Sequence, residues 1–550
     1  MMKTIKKLTY ILILIILATG AFAVDKQVVP GVTLSQLNSF NNKKQFINIV
    51  GIDLNNPDIS VKVALADPSV KVAGKPYGKQ PVSTIVNNNN ALVGINGDYF
   101  IMEAFRDTLN LSIINGELVS EPGYGRSVFC INKNGKVYFD NPVWKGSVYF
   151  SSKDIDKTVP LSGINRNRNN GELILYTNKQ GDSTLGKYKS FDIVMEPVNG
   201  DILRANSKID YKVCEILPDS INTPIPFGKV VLSGTTGAYP MLYLLKVGDL
   251  ITIDSSIESK DYTFDNVLYA SGGGPILVRN KESYITGQAE NFDNSIINGV
   301  NPRSAIGITE DNKLILVSVD GRQEHSTGMT LKELSDFMLS LGCANAMNLD
   351  GGGSTALSIK GLVVNSPSGI KERNVANAIL VYSNYKGNPI TTIEDYNNKI
   401  YRGDNSYMLL SGQSDNVVWG TFGGVGYIDE TGIYYTNKSD AKGKIGFVYD
   451  GIKYDYNIEV TNAPLKDVLA DFVPYDTGSV VKCSLTLVDS NNRPMAFSPI
   501  FVSCENGVTE RARYMSDNDG KIVFDIVWNE NDQVRTITFY FDKFSKKVTF

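Results

Sequence analysis

From Phe100 to about Gly299 the sequence is a succession of short apolar runs cut by Gly, Asn and Asp. A chain with that texture cannot hide its apolar residues along long helices. It has to bury them as strands in sheets joined by tight turns. The 49 glycines, and 28 tyrosines against 23 phenylalanines, suit such a β-rich protein. At 550 residues the chain has room for about three or four domains. Ahead of this region, Val61 to Ala66 reads as a short strand. Ala91 to Ile95 reads as a buried strand running directly into Asn96-Gly97-Asp98-Tyr99-Phe100.

The texture changes between 303 and 383. Lys313 to Val319 is a β-branched apolar strand that stops at Asp320-Gly321-Arg322. Thr330 and Glu333 then have the spacing of a capping box, in which each side chain satisfies an orphan backbone N–H of a helix's first turn. Leu331, Leu334, Met338 and Leu341 follow at helical spacing, and Gly342 stands where a helix-ending glycine belongs. Ala344 to Leu349 reads as the next strand, ending at Asp350-Gly351-Gly352-Gly353-Ser354. The pattern is β–α–β. With parallel strands, both would finish on the same edge of the sheet and bring Asp320 and Asp350 to one crevice. From about 389 helical periodicity is lost. Two β-rich units, 389–462 and 463–550, are each long enough for a small sandwich.

The first 23 residues have a basic head (Lys3, Lys6, Lys7), an apolar run from Ile11 to Ala18 and a small-residue site at Ala21-Phe22-Ala23. This is the pattern of a secretory signal peptide, so a secreted or envelope-associated protein is expected, with no membrane span after cleavage. A net charge of −4 gives no basic groove for nucleic acid. The five cysteines match no zinc spacing. Cys483 and Cys504 share one β-rich module and either pair or stay as buried thiols. No cofactor or metal is called for. Asp517 to Gly520 reads as a turn, because the bidentate Glu of a calcium loop is missing downstream.

Asp98, Asp320 and Asp350 each follow an apolar strand, and Arg303, Arg322 and Arg373 lie close to such strands in sequence. Carboxylates and guanidinium groups at one edge suit an anionic substrate that needs a base, because the planar guanidinium fork grips phosphate through paired hydrogen bonds. The run from Gly351 to Ser354 reads either as an oxyanion cradle of backbone N–H groups or as a flexible turn. Gly272-Gly273-Gly274-Pro275 reads as a tight turn. His325, the one histidine, has no nucleophile elbow to serve and reads as a loop residue.

Together these stretches resemble the phosphodiester glycosidase family. The resemblance rests on INGDYF at 95–100, GINRNR at 163–168, GGGPILV at 272–278, PRSAIGIT at 302–309, the long segment 314–355 and ERNVANAILVY at 372–382. It implies hydrolysis of the bond between a sugar's anomeric carbon and a phosphate oxygen. Asp350, Asp320 and Asp98 would share the catalytic work. Arg303, Arg322 and Arg373, with Gly351, Gly352, Ser354 and Asn96, would bind substrate and phosphate. Which aspartate acts as base stays open. The implied fold is an α+β catalytic domain at 24–388 with mixed sheets and the β–α–β unit. Two all-β modules, which look immunoglobulin-like, would follow and could hold envelope polysaccharide. The implied partner is a carbohydrate phosphodiester. A non-catalytic binder of phosphate-bearing glycans is the alternative. A metal-dependent phosphodiesterase is disfavoured by the single histidine.

Overall fold

The computed structural model describes residues 25–549 apart from 68–70, 73–74, 77, 104–107, 370, 391–398, 408–415, 438–439, 476–478, 518 and 530–533. The expected signal peptide at 1–23 lies outside the described residues. No helix among the described residues is long and apolar enough to cross a membrane. The chain divides into two compact units. One takes in the chain up to Gly361 together with Arg373–Lys386, and the other Leu362–Glu372 with Gly387–Phe550.

The first unit is mainly β. One sheet runs in the order Lys26–Val29, Val32–Phe40, Lys43–Asp53, Lys313–Val319, Arg303–Thr309, Cys343–Asn348, Ile276–Arg279, Glu282–Ser283. Every pairing in it is antiparallel. The β–α–β expectation holds for strand direction but not for direct pairing. Lys313–Val319 and Cys343–Asn348 do point the same way, but Arg303–Thr309 lies between them and pairs antiparallel with both. The cause is local. Arg303–Thr309 forms a hairpin with Lys313–Val319 around Asn312, whose φ of 62° suits asparagine. That hairpin occupies the edge the returning strand would otherwise have used.

The helix is Leu331–Ser340, with both halves of the capping box at Thr330 and Glu333 formed. Its apolar face packs Leu331, Leu334, Phe337 and Met338 on the sheet, in one core with Ile47, Ile49, Ala305, Ile315 and Val317. Burying each such side chain contributes about 1.5–3 kcal/mol, so packing rather than propensity holds this short helix. Gly342 follows at φ 80°, the left-handed position that ends a helix.

A second set of strands, Leu357–Ile359, Val93–Asn96, Asn377–Ser383 and Ile59–Leu65, pairs antiparallel in that order. Val93–Asn96 is buried at every residue, and it delivers Asp98 to the strand ends. Gly94 has to be glycine because an added Cβ would come within 2.3 Å of the Val86 side chain.

In the second unit Trp419 is buried in a core with Val425, Ile428, Tyr434 and Phe447. Beyond it, two four-stranded sheets share a further core built on Cys483, Leu485, Ile500, Phe524, Trp528 and Phe539. Cys483 and Cys504 are free thiols. Asp517 accepts the backbone N–H groups of Asp519 (2.9 Å) and Lys521 (2.8 Å), so its carboxylate closes a turn.

Candidate active site

The sheet register sets the site. Arg303 pairs with Val319 on one side, while the N–H of Leu349 donates to Ser304 on the other at 2.8 Å. Asp320 and Asp350 are the next residues along those two strands, so they flank the start of the Arg303 strand. Their backbones stand two strand spacings apart, about 10 Å. The N–H of Asp350 donates to Gly97 at 3.0 Å, which ties this edge to the loop carrying Asp98.

Asp98 and Asp350 form the electrostatic centre. Asp98 is 2% exposed. Its Oδ2 accepts the Asn110 N–H at 2.9 Å, and its Oδ1 has no hydrogen-bond partner among the described residues. Burial pushes its pKa up to about 8, against the pull of the Asn110 N–H and the Arg126 guanidinium; the Asp350 charge adds to the rise. Asp350 as a whole residue is only partly buried, but its carboxyl is enclosed. Burial raises its pKa to about 6, opposed by a hydrogen bond from Ser354 and by the charges of Arg373 and Arg126. The two carboxyls therefore titrate on either side of neutrality.

Arg126 was not singled out from the sequence, where GYGRSVF at 123–129 reads as one more turn and strand. Its guanidinium carbon lies 4.2 Å from the Phe292 ring centre, 5.2 Å from Tyr99 and 5.3 Å from Tyr124. Rings at those distances hold a cation by their faces and leave its N–H groups to other acceptors. Its Nε is buried without a hydrogen-bond partner among the described residues. An orphan donor and an orphan acceptor, on Arg126 and Asp98, thus belong to one charged cluster. Such unmet groups cost about 1–3 kcal/mol each.

Tyr99 completes the cluster. Its hydroxyl accepts from Asn348 Nδ2 at 2.9 Å and donates to the Gly274 carbonyl at 3.1 Å. Burial pushes the phenol well above its ordinary range. The Gly272–Pro275 turn forms the wall of the site. A Cβ on Gly272 would lie 2.5 Å from the Asp98 carboxyl carbon, and one on Gly274 would lie 2.4 Å from Glu290 Oε2. Glu290 is itself buried and accepts from the Ser127 N–H at 2.8 Å and the Ser127 hydroxyl at 2.7 Å, bracing the wall.

Several expected binding residues brace the site instead. Arg303 is 2% exposed, and its Nε and Nη2 donate to the carbonyls of Met329 (2.8 Å), Ile296 (2.9 Å) and Gly299 (2.7 Å). Burial, with the nearby Arg322 charge, lowers its pKa to about 10. Asn96 donates to the Asp350 carbonyl at 2.6 Å and accepts from the Ser304 hydroxyl at 2.7 Å and the Ala356 N–H at 3.2 Å, so both its polar ends are taken. In the glycine turn two N–H groups are held within the fold: that of Gly352 donates to Pro302 (2.9 Å), and that of Ser354 to Gly351 (3.1 Å).

Gly353 makes room for a guanidinium group, since a Cβ there would sit 2.4 Å from Arg373 Nη2. Gly352 has φ 60°, and Arg322 Nη1 lies at ordinary contact distance, 3.5 Å from where its Cβ would stand. Arg322 and Arg373 are both exposed and lie over this turn. Arg373 also donates to the Ser354 hydroxyl at 3.3 Å. Gly351 packs within 2.8 Å of the Pro302 carbonyl, counted from an added Cβ.

Asp320 has a different environment. Its N–H donates to Phe46 at 2.9 Å, and its carbonyl accepts the Ser326 hydroxyl at 2.6 Å. Its Oδ2 is 3.5 Å from His325 Nε2. His325 therefore stands beside the aspartate that the sequence offers as catalytic.

The fold and site define a mostly β protein that gathers buried carboxyls and guanidinium groups at the ends of its strands. Residues 197–382 match the family model for phosphodiester glycosidase. It is 39% identical over 85 residues to the uncharacterized SPbeta prophage-derived protein YomE of Bacillus subtilis, a match spanning 16% of this chain and 13% of that one. It is 34% identical over 102 residues to the N-acetylglucosamine-1-phosphodiester alpha-N-acetylglucosaminidase of Bos taurus, covering 17% of this chain and 19% of the bovine protein. These relatives are thus matched over less than a fifth of their own length.

Among solved structures, a hypothetical protein from Synechocystis superposes with a TM-score of 0.54 at 22% identity, over 66% of this chain and 64% of that one. A Burkholderia pseudomallei K96243 protein superposes at 0.51 and 20% identity, over 63% and 75%. These two likenesses bear on the fold alone.

Proposed function

We propose that the protein is an exported hydrolase that cleaves the anomeric C–O bond of sugar-1-phosphodiesters, releasing a sugar and a phosphomonoester. One observation carries the reading: Asp98 and Asp350 share a buried cluster in which their pKa values are driven to about 8 and about 6. Two carboxyls set on either side of neutrality are the arrangement that separates an acid from a base.

At neutral pH Asp350 is mostly ionised and Asp98 mostly protonated. Asp350 draws a proton from water, whose oxygen attacks the anomeric carbon. The bond from that carbon to the phosphate oxygen breaks, and its electron pair leaves with the phosphate. Asp98 gives its proton to the departing oxygen. Arg322 and Arg373, open to solvent over the glycine turn, hold the phosphate. The Arg126 charge acts on both carboxyls and stabilises negative charge as it develops. Ser354 links Arg373 to Asp350 and fixes the base. Arg303, Asn96 and Glu290 position these groups without touching substrate. Asp320, with His325 beside it, holds the neighbouring strand end and the loop after it. The second unit serves as a spacer or anchor at the envelope.

The test is turnover of a small panel of sugar-1-phosphodiesters, read as released sugar, by the wild-type protein and by Asp98→Asn, Asp350→Asn and Asp320→Asn. The first two should lose at least about a hundredfold in kcat, and Asp320→Asn should lose less. Full turnover in either of the first two variants would overturn the assignment.

A further inference from the structure

Along the edge strand Ile59–Leu65, beside the strands that carry the site, the first unit has an open cleft of about 460 Å³. Strand Asn377–Ser383 connects the two places. Asn377 accepts the Asp98 N–H at 2.9 Å, and Tyr382, five residues further on, lines the cleft. At about 3.3 Å per residue Tyr382 stands about 17 Å from Asn377, and the cleft runs back along the edge strand to Leu65, which pairs with Asn377. Strand Val267–Gly272 makes a shorter connection of about 10 Å, with Gly272 against Asp98 and Tyr269 in the cleft.

The lining is unlike a protein-docking surface. Tyr382 supplies a half-buried ring and Asn115 an exposed side-chain amide, Lys62 and Lys179 supply charge, and the buried Tyr269 ring forms the floor; the Asn178 amide at the rim is already held by the Ile225 and Pro226 carbonyls and the Gly228 N–H. Lys62 Nζ stands 4.8 Å above the Tyr382 ring. The Tyr269 hydroxyl donates to Asn115, which fixes that ring's orientation. Lys179 is paired with Glu117 at 3.1 Å, and Asp67 is the single acid in the lining. Two lysines are too few for a nucleic-acid track, where several phosphates are neutralised together. Tyrosine faces stack on the C–H faces of sugar rings, amides and phenols pair with hydroxyls, and ammonium groups attract an occasional anionic substituent. An open cleft lets a chain pass through rather than admitting only its end.

We infer that this cleft is a second binding site, taking a distal stretch of phosphate-bearing glycan whose scissile linkage lies at the Asp98–Asp350 cluster. The inference rests on the hydrolase reading for its choice of ligand but uses none of the catalytic residues. It makes the protein an enzyme for polymers, holding the chain at two points.

The experiment uses the full chain. The probes are an oligomer of N-acetylglucosamine units joined through α-1-phosphodiesters, and the methyl phosphodiester of a single α-N-acetylglucosamine 1-phosphate. Oligomer affinity is measured by calorimetry in an Asp350→Asn background. Tyr382→Ala and the double variant Lys62→Glu/Lys179→Glu should each weaken it about tenfold. In the otherwise wild-type protein, the same changes should leave kcat/KM on the monomer unaltered. The lysine variant is on the surface and keeps the test valid if Tyr382→Ala fails to fold. Unchanged oligomer affinity in every variant that folds, or an equal loss on the monomer, overturns the site. Cleft-dependent binding with no turnover of either probe would sink the hydrolase reading and leave the cleft standing.

Discussion

Asp98 illustrates how a single side chain trades stability for chemistry. The folded protein keeps its proton up to about pH 8, whereas an aspartate in an unfolded chain releases one near its ordinary value of 3.8. The folded state therefore binds more protons across that window, and its stability falls as pH rises through it. Asp98→Asn removes the titration. Thermal melts should show the variant gaining on the wild type at pH 8 to 9 relative to pH 5, although it is inactive. In the proposed mechanism the same pair governs rate. It needs Asp350 ionised and Asp98 protonated, so kcat/KM should follow a bell with limbs near 6 and 8, values that belong to the coupled pair. A profile flat from pH 5 to 9 would contradict the assignment. Gly353 makes a third case at this scale. Its substitution by Ala pushes a Cβ to 2.4 Å from Arg373 Nη2. Losing that guanidinium's placement should cost about a hundredfold in kcat/KM. The melting temperature should change little, because the clash falls on the end of a flexible, exposed side chain.

At the scale of elements, the helix Leu331–Ser340 was the most legible part of the chain. Its capping box, apolar face and terminal glycine are all local signals, and each has one structural solution. Thr330→Ala removes the side chain that accepts the Glu333 N–H at 3.2 Å. Chemical denaturation should show a loss of about 1 kcal/mol, and an unchanged midpoint would mean the cap is not holding the helix. The strands on either side were legible for the same reason. Their pairing was not, because nothing within 313–349 tells a strand that Arg303–Thr309 will come between. The shared direction of the two strands survives that insertion, so Asp320 and Asp350 still end on one edge. What the side chains meet there depends on chain distant in sequence. Arg303 finds the carbonyls of Ile296, Gly299 and Met329, and Asp320 finds Phe46 and His325. Arg126 had no motif to mark it. Its importance arises from three rings, Tyr99, Tyr124 and Phe292, that only the fold assembles. The glycine turn at 351–353 is legible as special, but the Arg373 guanidinium packed on Gly353 comes from further along the chain, and no local pattern announces it.

At the scale of the whole molecule, each of the two units has its own apolar cores, and every residue assigned to the chemistry belongs to the first. The function proposed for that unit turns on which bond of one substrate is cut. The direct measurement is hydrolysis of an α-N-acetylglucosamine 1-phosphodiester in ¹⁸O-labelled water, followed by mass spectrometry of both products. Attack at the anomeric carbon places the label in the released sugar and leaves the phosphomonoester unlabelled. Label in the phosphomonoester would mean that the P–O bond is cut, and would contradict the mechanism built on Asp98 and Asp350.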